Sequence, residues 1–180
     1  MDVTDVVKLT SRAWSLEILR LMHDGVPGRQ AQLLAASGAG RTAFAQSLRH
    51  LVELGHLERN PGHGHPLRPE YRLTEQGAQM AALSRSIDAA LGAEAQAPLL
   101  RRAWTVPVLT VSRQPKFFSE IKGLLPPITD RALSQTLQAL EQTQWLLRDT
   151  RAEMRPPRPV YRAQNTGARI AEAVQQALAA

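Results

Sequence analysis

The chain has 180 residues, 43% of them hydrophobic, with a mean hydropathy of −0.26, so it holds one large domain or two small ones with a real core and is not a disordered segment. It has no cysteine, which excludes a disulfide framework, a thiol redox switch, a Cys nucleophile and a thiolate zinc site. Twenty-two Lys and Arg against 16 Asp and Glu give +6 and a sequence pI near 10.7, a balance that favours an anionic partner.

The start, Met1-Asp2-Val3-Thr4-Asp5, is acidic rather than a basic region leading into an apolar one, and no run of about 18 apolar residues follows anywhere. Neither a membrane span nor ordinary secretion is expected, and the cytoplasm is the default compartment. Next, Arg12-Ala13-Trp14 opens an apolar run with Leu16, Ile18 and Leu19. The small residues Ser37-Gly38-Ala39-Gly40 read as a turn before a helix whose stripe is Phe44, Leu48, Leu51 and Val52, at i, i+4, i+7 and i+8. Leu57-Glu58-Arg59, a Gly/Pro-rich stretch over 60–69 and Glu70-Tyr71-Arg72-Leu73 read as a hairpin with a long tip. An Ala-rich helix over 78–91 follows, with Met80, Leu83, Ile87 and Leu91 near heptad spacing.

The pattern then repeats. Arg102-Ala103-Trp104 stands ninety residues after its first occurrence, Arg158-Pro159-Val160-Tyr161-Arg162 matches Arg68-Pro69-Glu70-Tyr71-Arg72, and Gly167 matches Gly77. Gln135-Thr136-Leu137 matches Gln46-Ser47-Leu48 at an offset of eighty-nine. Four blocks in one order indicate two copies, residues 1–95 and 96–180, joined across 92–98. In the second copy Leu133, Leu137 and Leu140 form the helical stripe, Thr129 is a sound N-cap before Asp130 where the first copy offers only Gly40, and a helix over 168–178 closes the copy. Residues 1–95 hold ten basic and ten acidic side chains, residues 96–180 twelve and six. The whole excess therefore falls in the second copy, which suggests different surface duties.

Helix, short turn, helix, hairpin is the order of a winged helix-turn-helix, in which the second helix of the turn enters the major groove. The residues themselves resemble the HxlR family of bacterial winged-helix regulators. Copy two carries the resemblance in Lys116-Phe117-Phe118-Ser119-Glu120-Ile121-Lys122 and in Leu133-Ser134-Gln135-Thr136-Leu137-Gln138-Ala139-Leu140. Copy one carries it in Trp14-Ser15-Leu16-Glu17-Ile18-Leu19, Leu51-Val52-Glu53-Leu54-Gly55 and Tyr71-Arg72-Leu73-Thr74-Glu75-Gln76-Gly77, while its middle, Arg29-Gln30-Ala31-Gln32-Leu33, departs from the pattern. The resemblance implies a mainly α fold with small β-wings, here two winged helices in tandem. It implies a transcriptional regulator, a repressor in type, that binds double-stranded DNA without a cofactor. Family members are usually single winged helices that pair through terminal helices, so two copies in one chain imply an intramolecular pseudo-dimer, alone or as part of a homodimer. Its target is then two unequal half-sites. The cysteine-based sensing of many relatives is unavailable here.

On the first reading helix Arg41, Thr42, Gln46 and Arg49 lie away from the apolar stripe, and on the second Arg131, Ser134, Gln135 and Gln138 do. Arg and Gln hold guanine and adenine edges bidentately. Arg68 in the first wing and Arg151, Arg155 and Arg158 in the second suit phosphate or minor-groove contact. Asp130 at a helix tip would repel phosphate unless it serves only the helix start. His63 and His65, without a third ligand, do not amount to a metal site. Trp14 and Trp104 read as core or as packing between the copies rather than as an aromatic ligand cage, Phe117 and Phe118 as core plus a partly exposed neighbour, and a small-molecule effector would find its place between the copies near the two tryptophans. No phosphate loop, catalytic motif or compelling carboxylate pair points to an enzyme. The competing reading is an adaptor whose winged helices bind a protein partner, favoured by the neutral first copy; a mixed case has only copy two on DNA.

Overall fold

The computed structural model describes residues 2–60, 70–93, 97–151 and 158–179. The chain opens with α1 (Val3–Thr10), whose first turn is closed reciprocally. Asp2 Oδ1 accepts from the Thr4 and Asp5 amides at 2.7 and 3.0 Å, and the Asp5 carboxylate accepts from the Asp2 amide at 2.9 Å. The Asp5 amide above all holds the Asp2 carboxyl below its ordinary range. This cap is therefore intact at neutral pH and loosens as the pH falls through that lowered value.

Helices α2 (Ser15–His23), α3 (Gln30–Ser37) and α4 (Arg41–Glu53) follow, then strands β1 (Leu57–Asn60) and β2 (Glu70–Leu73) and the long helix α5 (Glu75–Leu91). α2 buries Leu16, Ile18, Leu19 and Leu21, and α4 buries Phe44, Leu48 and Leu51 as the 3.6-residue period requires. β1 and β2 are antiparallel, Leu57 opposite Leu73 and Asn60 opposite Glu70. α5 begins three residues earlier than the sequence pattern indicated, because the Thr74 hydroxyl accepts from the Gly77 amide at 2.9 Å and starts the helix before the apolar positions begin.

The second series starts with a 3-10 turn (Ala97–Arg101), then α6 (Thr105–Val111), β3 (Lys116–Phe117), α7 (Phe118–Leu124), α8 (Asp130–Gln142), β4 (Leu146–Arg151), β5 (Arg158–Ala163) and α9 (Asn165–Ala179). Pro107 is tolerated in α6 because it lies in the first turn, where an amide has no intrahelical acceptor. Here the sheet has three strands in the order β3-β5-β4, with Phe117 opposite Val160. In the first series the place of β3 is taken by one isolated bridge, Arg29 to Glu70. The order helix, helix, helix, hairpin, helix thus occurs twice, each time as a winged helix-turn-helix.

Two glycines at matched positions explain how tightly each closing helix meets its hairpin. A Cβ on Gly77 would stand 1.8 Å from His56 O, and one on Gly167 would stand 2.0 Å from Trp145 O. Only glycine permits this approach.

The chain divides into two compact units, one formed by Met1–Ser11 with Ala89–Ala180 and the other by Arg12–Asp88. The division differs from a plain cut near residue 95 in two respects: its boundary falls between Asp88 and Ala89, within α5, and α1 belongs with the second winged helix. It packs on α6, buries Val6 and Leu9, and places Thr10 Oγ1 2.7 Å from Ala103 O. The discontinuous unit contains thirteen basic and nine acidic residues, the continuous one nine and seven, so the basic excess is shared more evenly than the two halves of the sequence indicated.

Candidate nucleic-acid interface

The helix that follows the turn is held differently in the two units. In the continuous unit α3 ends at Gly38 with φ +66°, and the N-cap of α4 is Gly40, which has no side chain to accept from the first turn. In the discontinuous unit Thr129 Oγ1 accepts from the Ala132 amide at 3.2 Å and caps α8. Asp130 beside it pairs with Lys122 of α7 at 2.6 Å, so its charge is offset at the helix tip. Lys122 has no part in the sequence-derived interface, since nothing in the spacing shows that α7 and α8 meet there.

All eight helix positions chosen from the sequence are exposed. Arg41, Thr42, Gln46 and Arg49 lie opposite Phe44, Leu48 and Leu51, and Arg131, Ser134, Gln135 and Gln138 lie opposite Leu133, Leu137 and Leu140. Arg49 also rims a hollow of about 340 Å³ with Gln30 of α3 and Arg59 of β1. Arg59 was not among the sequence-derived candidates. Only the meeting of α4 with the wing brings it to the same hollow as Arg49.

In the second wing Arg158 is exposed and stands opposite Arg151 in the ladder. Arg148 and Arg162 are exposed too, but Arg148 is opposite Tyr161 and Arg162 opposite Leu147, which puts the two on opposite faces of the hairpin. Arg158 and Arg162, four residues apart on one strand, share a face. Arg68 and Arg155 lie outside the described residues, as do His63, His65 and the side chain of Arg151. Among the described residues no group of three or more His, Asp or Glu side chains is placed to hold a metal. No described helix is long and apolar enough to cross a membrane. Trp14 is buried and Trp104 half-buried; Phe117 and Phe118 are both half-buried, so a partly exposed residue is present as expected but neither is a fully buried core residue.

The motif description for HxlR-like helix-turn-helix domains matches residues 9–94 and again residues 99–179. The chain belongs to the HxlR-like helix-turn-helix family. Its similarity to individual relatives covers less than half of the chain. The uncharacterized HTH-type transcriptional regulator MT3179 of Mycobacterium tuberculosis (strain CDC 1551 / Oshkosh) is 42% identical over 79 residues, 44% of this chain and 49% of that protein. The uncharacterized HTH-type transcriptional regulator Mb3122 of Mycobacterium bovis (strain ATCC BAA-935 / AF2122/97) is 41% identical over the same length and shares. The chain thus spans about half the length of the curated relatives it matches. Among solved structures, the reduced form of the transcriptional regulator YodB from B. subtilis is 27% identical, with 45% of this chain and 79% of that one covered and a TM-score of 0.39.

Proposed function

We propose that this HxlR-like chain is a DNA-binding transcriptional regulator, a repressor in type, acting on duplex DNA in the cytoplasm or on the nucleoid. The observation that carries the reading is the exposed polar face of the helix after the turn, present in both units and backed each time by an apolar stripe. In this reading Arg41, Thr42, Gln46 and Arg49 meet one half-site, and Arg131, Ser134, Gln135 and Gln138 meet the other. Arg59, Arg158 and Arg162 meet phosphates, together with Arg68, Arg151 and Arg155 at the wing tips.

The two helix faces are chemically unequal. α4 offers two arginines and a glutamine, which favours guanine edges. α8 offers one arginine and two glutamines, which shifts preference toward adenine. The target is therefore one asymmetric site rather than a palindrome.

Selection of a random duplex pool on the purified chain, with affinity followed across a salt series, tests the reading. The expected result is one motif with two different halves and a log–log salt slope that rises by about 0.9 for each phosphate neutralised. Weak binding with no selected motif would show that the fold serves a protein partner instead.

A further inference from the structure

The discontinuous unit contains a cleft of about 570 Å³ between the start of α6 and one side of α8. Its lining residues include Arg102, Trp104, Gln135, Thr136, Gln138 and Gln142. From Gln135 to Gln142 the α8 wall extends about 10 Å at the helical rise of 1.5 Å per residue, long enough for a fused two-ring molecule.

Its chemistry is specific. Trp104 is half-buried and lines the cleft, so an occupant can stack on the part of its indole that stays uncovered. Arg102 is exposed and, among the described residues, in no ion pair, so its planar fork of donors can face a carboxylate at one end. The glutamine amides supply donors and acceptors for ring substituents. The matched tryptophan of the continuous unit is not available in this way: Trp14 is only 9% exposed, and its backbone amide donates to Ser47 Oγ on α4 at 3.3 Å. Ser47 corresponds to Thr136 in the repeat, so the same pair of positions is closed in one unit and open in the other.

We propose that this cleft binds a planar aromatic carboxylate, stacked on Trp104 and paired with Arg102. Gln135 and Gln138 line the cleft and are also two of the four α8 side chains assigned to bases, so its occupant competes with DNA for them; this coupling rests on the DNA-binding reading above. The site lies within one unit, on α8, and needs no second tryptophan.

The test is titration of the full chain with indole-3-carboxylate, followed by the Trp104 indole N–H resonance in NMR, identified by its loss in Trp104→Phe. A saturable shift with a Kd near or below about 1 mM is expected, weakened about ten-fold in Arg102→Ala and about ten-fold with neutral indole-3-carboxamide as the probe. An unchanged amide spectrum elsewhere shows that Arg102→Ala is folded, and Arg102→Gln repeats the measurement with an uncharged side chain of similar polarity. Absence of a saturable shift, or a shift equal in size and affinity in the Arg102 variants, overturns the site. None of these readouts uses DNA, so they fail or succeed apart from the regulator reading. Saturating indole-3-carboxylate should then lower affinity for the selected duplex at least several-fold; unchanged DNA affinity alongside saturable binding overturns the coupling.

Discussion

The two winged helices share an order of elements and differ in what secures them. In the continuous unit Arg20 of α2 reaches Glu17 at 2.7 Å and Asp24 at 2.8 Å, and approaches Asp88 of α5 at 3.7 Å. Arg85 of α5 adds Asp24 at 3.2 Å and Asp88 at 3.3 Å. Five charges thus tie the first helix of the unit to the last. In the other unit Arg113 pairs with Glu172 of α9 at 3.1 Å. The discontinuous unit has instead a third strand, a capped α8 and an additional helix against α6. A charge network on the surface is screened by salt, whereas strand pairing and apolar burial are not. Both copies rest on a buried apolar stripe and a paired hairpin, and the continuous one adds a salt-sensitive increment to them.

The largest effects should come where the copies agree. Gly77→Ala and Gly167→Ala each force a methyl group against a backbone carbonyl, and each is expected to cost more than about 3 kcal/mol in its own unit. Thermal unfolding followed by circular dichroism, with amide resonances reporting each unit, checks this. A mild loss in either one breaks the equivalence of the two closing helices. An intermediate effect separates the copies by sequence preference. Arg49→Ala should cost about 1–3 kcal/mol of discrimination at one half-site, and Gln138→Ala a similar amount at the other. Selection repeated on each variant reads this out, and loss at the same half-site in both would collapse the assignment of one helix to each half. The smallest effect concerns the turn between reading helix and wing. Gly55 and Gln144 occupy matched positions with φ +73° and +59°, in the left-handed region where glycine is at ease and glutamine is not. Gln144→Gly should stabilise its unit by about 1 kcal/mol and Gly55→Gln should destabilise the other by a similar amount, both measured by urea unfolding. Equal stability in all three proteins would show that the backbone relaxes at this turn.

Much of this was legible before any coordinates. The repeat of Arg-Ala-Trp and of the Pro-x-Tyr-Arg block is a long-range signal that requires no pairing information, and the stripes of Phe44 and Leu133 are local signals of a helix face. The cap at Thr129 and its absence at Gly40 are as expected from residue type. Other features depend on contacts between distant residues. β3 is two residues long, too short for an alternating pattern, and exists because β5 presents a free edge. Val6 and Leu9 mark α1 as amphipathic without naming α6 as its partner. Arg59 and Arg49 around one hollow, Lys122 beside Asp130 and the place of Trp104 in a cleft are likewise products of packing. For the interface, side-chain type and period locate the candidate faces, while the wing arginines sort onto faces only once the ladder register is known.

Helix α1 has a consequence for the order of events during synthesis. Its seat on α6 begins about a hundred residues further along the chain, so at a typical 5–20 residues per second the helix waits roughly 5–20 seconds for its partner. During that interval the continuous unit, made between the two, has all of its residues and is free to fold. Val6 and Leu9 meanwhile remain without their cover. The nascent chain thus passes through a stage with one finished winged helix and one loose amphipathic segment, which a protease or a chaperone would meet before DNA does.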